Sequence, residues 1–246
     1  MNEITRNQII VYVAFAIMIG INIFVNVFQL NGYTTGEVSD LHEIYLTPAS
    51  YTFSIWTVIY LGLLIWLLTF TMRKQQITPT IVWTFVVTCF WNIAWLIAWH
   101  YLFFGVAAII LVLHLASVFF LYLLQRRIEI SNWYHYPISL YLGWLVVAVT
   151  VNILYFLVAT VGVQEVAELS YTYLAICILV IFAILQFFIW KDWVIQLVLI
   201  WSFIGIIVKN YHDNWVLSFI LLLLTVGISA LSYFWYKRAR AKQKLK

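Results

Sequence analysis

Apolar residues along this chain gather in long blocks separated by short polar turns. The blocks cover roughly 9–28, 51–72 and 81–101, a fourth from the break at Phe103-Phe104-Gly105 to about 124, then 134–159, 171–190, 193–208 and 215–236. A helix of about 20 apolar residues crosses the hydrocarbon of a bilayer. Block 193–208 is short for that task and reaches both interfaces only with Trp193 and Lys209 as anchors. Pro79 and Pro137 fall at the starts of their blocks, where a helix has no use for the missing N–H. The first block lacks a small-x-small cleavage site and is expected to remain as a span. The pattern predicts an all-α integral membrane protein of eight spans, with no stretch polar enough for a separate soluble domain.

Composition agrees: 65% of residues are hydrophobic and 9% charged, and mean hydropathy is +1.01. Soluble domains carry about 25% charge. The placement of Lys and Arg then tests the span count, because they collect on the cytoplasmic side. With the N-terminus inside and eight alternating spans, Arg6, Arg73, Lys74, Arg126, Arg127, Lys191 and the basic tail 237–246 all fall inside, leaving Lys209 outside. Glu37, Asp40, Glu43, Glu165, Glu168 and Asp213 fall outside. Seven spans would put the basic tail on the wrong side, so both termini are expected in the cytoplasm. A basic tail beside a last span is a topology signal touching anionic lipid rather than a nucleic-acid site.

Polar and aromatic residues inside the blocks need a further reason to be there. Asn22 and Asn26, four apart, share one face of the first span and should point into the bundle. The stretch 47–66 enters the second span through Pro48 and carries Tyr51, Trp56 and Tyr60, the last two stacked on one helical face. On the third span Trp91, Trp95 and Trp99 form a ladder at four-residue spacing, beside Asn92. On the fifth, Trp144, Ala148 and Asn152 repeat that spacing. Stacked aromatics with a few amides describe an apolar pocket with polar tips; ordinary helix packing with Trp as filler uses the same spacings. His114, mid-span, suits a ligand contact, a proton relay or a hydrogen bond to a neighbouring helix, while His100 at a span end suits a wet surface. Gln186 and Gln196 read as packing amides, and Cys89 and Cys177 as buried thiols without a disulfide or metal. Tyr33, Trp83, Trp133, Tyr134, Tyr171, Trp190, Trp193, Tyr211, Trp215, Trp235 and Tyr236 suit the interfacial belts. Nucleotide, zinc-peptidase and CxxC motifs are absent, and no acidic or basic residue is evident inside a span.

Three motifs together resemble the TspO / translocator-protein family, the tryptophan-rich sensory proteins. A proline loop followed by an aromatic and W-x3-Y matches Pro48, Tyr51, Trp56 and Tyr60; N-x-x-W matches Asn92 and Trp95; W-x3-A-x3-N matches Trp144, Ala148 and Asn152. The similarity covers about 8–158. It implies a five-helix bundle over 1–160 whose hydrophobic pocket is closed by the loop 29–49, with three additional helices over 161–236 and the tail 237–246. It further implies a non-enzymatic sensor or regulator in the cell membrane, with no required cofactor and a porphyrin- or haem-like ligand. That ligand would meet Pro48, Tyr51, Trp56, Tyr60, Asn92, Trp95, Trp99, Trp144, Ala148 and Asn152. The expected partners are the lipid bilayer and an apolar small molecule, with no nucleic acid; a homodimer and a small-molecule transporter stay open as alternatives. The chain departs from the family pattern at Tyr45, where a Trp is usual, at Thr47, a proline position, and at Leu96 and Ile97. The basic sterol-linked segment after the fifth span is also missing, which weighs against sterol binding and porphyrin breakdown.

Overall fold

The computed structural model describes residues 3–72, 78–127 and 134–244. Arg73, Lys74, Trp133 and Lys246 lie outside the described residues, as do the side chains of Trp235 and Tyr236. The described elements are helical: α1 (Glu3–Val27), a short α2 (Thr35–Ser39), α3 (Ile55–Met72), α4 (Pro79–His100), α5 (Phe104–Gln125), α6 (Tyr136–Phe156), α7 (Glu165–Trp190), α8 (Trp193–Asn210) and α9 (Trp215–Lys244). All but α2 are long and apolar enough to span a bilayer, giving eight candidate spans. This is the eight-span, all-α membrane architecture that the blocks predict.

Local chemistry sets the helix ends. Thr78 accepts from Ile81 N ahead of Pro79, and Asp192 accepts from Val194 N at the start of α8. Gly162, at φ 78, closes the wide final turn of α6, and α7 begins at Glu165, earlier than the apolar block suggests. Glu165 and Glu168 therefore sit in a first helical turn, where unpaired N–H groups favour carboxylates. At the other end α9 continues through the basic stretch to Lys244, because Lys, Arg, Ala and Gln are strong helix formers.

Helix α6 is the hub, packing against α3, α5, α7 and α8, while α1 leans on α4, and α9 on α8. Lipid tails offer helices no hydrophobic reason to associate, so close backbone approach and interhelical hydrogen bonds must hold them. Gly143 on α6 supplies one such approach: a Cβ there would come within 3.1 Å of Val198 Cβ on α8. The short α8 is among the most enclosed spans, with 56% of its residues buried against 22% for α1. Its flanks meet protein more than lipid, so its length suffices.

An acidic group that the apolar blocks conceal secures the end of the bundle opposite the 29–54 loop. Asp192, 6% exposed, accepts from Tyr122 Oη at 3.0 Å, Ser139 Oγ at 2.6 Å and Val194 N at 3.1 Å. Arg126 donates to Tyr122 Oη and to Trp190 O, closing the knot around α5, α6, α7 and α8. Tyr134, assigned by sequence to the interfacial belt, is instead buried against Trp66 and Phe70. Cys89 is buried as expected, but Cys177 lies exposed on the outer face of α7, and both are free.

Removing the Asp192 carboxylate takes the acceptor from the Tyr122 hydroxyl and the Val194 N–H and leaves Ser139 Oγ with His135 O alone. Asp192→Ala is expected to cost about 3 kcal/mol, and Asp192→Asn less, by denaturant titration in detergent. Leu102, in the α4–α5 link, holds φ 62. Leu102→Gly relieves that left-handed strain and should stabilise by about 1 kcal/mol, seen as a higher Tm.

Candidate functional site

The four-residue spacings on α3, α4 and α6 place their large rings on facing sides, and the rings meet. Trp56 stacks on Tyr60 of its own helix at 5.5 Å between centroids and on Trp95 of α4 at 6.1 Å. Trp95 stacks in turn on Trp99 at 6.0 Å. From α6, Trp144 and Tyr141 present edges to Trp56 at 6.2 and 6.0 Å. Trp95 Nε1 donates to Asn152 Oδ1 at 3.1 Å, and Asn152 Nδ2 donates to Ala148 O. Trp144 is 2% exposed, and its indole N–H is buried without a hydrogen-bond partner.

Between these rings lies a cavity of about 20 Å³, room for one water and far below the roughly 300 Å³ of a ligand pocket. Of the residues expected at the site, Pro48, Trp56, Trp95, Trp99, Trp144, Ala148 and Asn152 line it, joined by Phe53 and Ser39. Tyr60 and Asn92 stand to one side. Tyr51 is not part of it: its ring is 43% exposed and meets Trp201 of α8 edge-on at 5.4 Å. Trp91 likewise turns from the ladder to pack on Phe90. Past Trp56 a groove of about 390 Å³ runs between α1, α3 and α4, sharing Phe53, Trp56 and Trp95 with the cavity.

Three side chains on three helices close a hydrogen-bond ring beside the groove. Tyr60 Oη donates to Asn22 Oδ1 at 2.7 Å, Asn22 Nδ2 to Asn92 Oδ1 at 2.8 Å, and Asn92 Nδ2 to Tyr60 Oη at 3.5 Å. Both site amides are therefore engaged with protein, Asn92 in this ring and Asn152 with Trp95. His114 shares a hydrogen bond of 2.6 Å with Tyr141 Oη on α6, the helix-to-helix option of the three its position allowed. His100, expected to be wet, is fully buried, donating from Nδ1 to Leu96 O. No residue lining the cavity offers an imidazole or thiolate, and the one phenol there, Tyr155, donates to Val38 O.

The loop 29–54 caps the cavity and is fastened on two sides. Toward α4 and α6, Asn31 Nδ2 donates to His100 O, Trp99 Nε1 to Thr35 O, and Tyr155 Oη to Val38 O. Toward α7 and α8, every polar group of Tyr45 is taken: its N–H by Glu168, its phenol by Glu165 at 2.6 Å, its C=O by Asn210. Ala49 N donates to Gly205 O, and Trp201 Nε1 to Thr52 O. A Cβ at Gly205 would overlap Thr52 Oγ1 and approach Pro48 Cβ to 2.9 Å, so only glycine lets α8 press this close. Glu168, read from sequence as a loop residue, is 5% exposed. Sequence gave no sign of the roles of Glu165, Glu168, Trp201, Gly205 and Asn210, whose partners lie more than a hundred residues away.

A family model described as TSPO-like protein matches residues 8–235. The chain belongs to the TSPO-like family. The match runs well past 158, where the motif resemblance ends, so the TSPO-like region takes in α7, α8 and most of α9. Neither the curated proteins nor the solved structures yield a match. In this TSPO-like chain the C-terminal helices do specific work, since they hold the loop over the aromatic site.

The Tyr45 phenol is pushed up to about 12, first by its hydrogen bond to Glu165, then by burial and by the carboxylates of Glu165, Glu168 and Asp213. A raised value means the bond's contribution is complete below pH 10 and is lost as pH rises toward 12. Loop closure, read by protease protection, should therefore fall across that window and do so less in Tyr45→Phe. Asn22→Ala opens the three-membered ring and should cost about 1 kcal/mol in thermal unfolding.

Proposed function

We propose that this TSPO-like protein is a non-enzymatic binder of a flat apolar ligand, tetrapyrrole-like in shape, serving a sensory or regulatory role in the cell membrane. The observation that carries the reading is the aromatic cluster of Trp56, Tyr60, Trp95 and Trp144 converging from three helices. Offset and edge-on rings within 7 Å form a surface that another flat π system can extend. The buried, unpaired N–H of Trp144 supports it, because an acceptor on the ligand edge would relieve an unsatisfied donor. The closed cavity requires Trp56 to swing aside, which would merge the 20 Å³ space with the 390 Å³ groove. A ligand that displaces a tryptophan while the loop senses the change is a reasonable physical basis for signalling. With charge placement as guide, the loop faces outside and both termini the cytoplasm. The bilayer and the ligand are its partners in this reading, with a homodimer as one assembly.

Titration of the purified protein with protoporphyrin, haem and hydrophobic dyes, read by tryptophan fluorescence, tests it. Saturable quenching is expected, weakened at least tenfold in Trp144→Ala, with protoporphyrin and haem differing by less than threefold because the lining offers no axial imidazole or thiolate and its one phenol, Tyr155, is engaged with Val38 O. Unsaturable quenching, or identical quenching in Trp144→Ala, sinks the reading. Net movement of ligand across proteoliposome membranes would instead favour a transporter.

A further inference from the structure

The aromatic site has two bounding sides of unequal strength. On one side the loop is tied to α7 and α8 by five hydrogen bonds, three to Tyr45 and one each at Ala49 and Thr52, and α8 presses on it through Gly205. Opening the loop breaks these bonds together. On the other side the cavity and the groove are parted by Phe53, Trp56 and Trp95, of which Trp56 is held by ring stacking. Ile23 and Thr57, on the groove wall, are exposed on the flanks of α1 and α3, so the groove opens sideways, where lipid lies.

Helix α1 is also the most loosely held span, with 22% of its residues buried. Polar contacts that tie it to α3 include Asn22 with Tyr60, and Tyr12 Oη with Thr71 Oγ1 at 2.8 Å. Asn22, Asn26, Thr35 and Thr57 give the groove a polar edge toward its loop end. An otherwise apolar groove with that edge suits a molecule dissolved in the bilayer that carries a carbonyl, carboxylate or N–H on a flat apolar body.

We infer that the groove between α1 and α3 is a binding vestibule for such a bilayer-dissolved ligand, and that the ligand reaches the aromatic site through it while α7 and α8 keep the loop shut. This rests on the ligand-binding reading above and adds to it the route and the solvent from which the ligand comes. Asn22 and Tyr60 act as the catch: a ligand N–H or O–H that donates to Asn22 Oδ1 displaces the Tyr60 hydroxyl and frees the helix face carrying Trp56.

Two measurements test the inference, one without any ligand. In vesicles of phosphatidylcholine brominated along its acyl chains, the bromines should quench a component of the fluorescence that is missing in Trp56→Phe, while iodide in the water leaves that component intact. The reverse pattern overturns the vestibule. In stopped-flow mixing with protoporphyrin-loaded phosphatidylcholine vesicles, Ile23→Phe/Thr57→Phe should slow association at least tenfold, and Tyr45→Ala should leave it within twofold. Association unchanged in the groove variant and accelerated in Tyr45→Ala overturns the route. Absence of saturable quenching in the unsubstituted protein would instead count against the ligand reading itself, and the bromolipid result would still decide whether the groove is open to lipid.

Discussion

The constraint on which this structure depends is that hydrocarbon satisfies no hydrogen bond, so polar groups inside the bundle are drawn to partners on other helices or on their own backbone. Three knots meet that demand. Asn22, Tyr60 and Asn92 join α1, α3 and α4. Asp192 gathers α5, α6, α7 and α8 at one end. Tyr45, with Glu165, Glu168 and Asn210, fastens the loop to α7 and α8 at the other. Individually such bonds contribute about 0.6 kcal/mol in a membrane, but each fixes which helix faces sit opposite each other. The aromatic site is a consequence of that alignment.

The loop illustrates how the same residues can serve closure and restraint. Gly205 lets α8 touch the turn at Pro48–Thr52, and Trp201 reaches over to the Thr52 carbonyl. A helix pair that would otherwise look like an appendage thus bears on the site directly. The contrast with the loosely packed α1 gives the bundle a stiff side and a soft side, and the groove lies on the soft one.

Much of the fold was legible in the sequence. The eight blocks became eight spans because apolar length is read the same way by the bilayer and by the chain. The i, i+4 spacings of Trp56/Tyr60 and Trp95/Trp99 correctly placed rings on common faces, since helical geometry alone sets that. The spacing of Trp91 obeyed the same rule and failed, because a one-helix pattern says nothing about where the neighbouring helix ends its contact. Tyr51 failed for a related reason: it sits in the tight turn before α3, where the chain points it toward α8. Glu168 and Asp192 escaped notice because both stand at the edges of apolar blocks, and burial there depends on partners distant in sequence.

The sequence by itself determined the class of protein, the number of spans, the helix faces that carry aromatic rings and the motifs that mark a TSPO-like chain. These follow from local quantities: hydropathy, spacing and turn chemistry. Only the tertiary structure decided that the rings pack to a 20 Å³ cavity beside a 390 Å³ groove, that both site amides are already engaged, and that α7 and α8 hold the loop. Volumes and hydrogen-bond partners belong to pairs of helices, and the relative position of two helices is settled by the sum of contacts over the whole bundle.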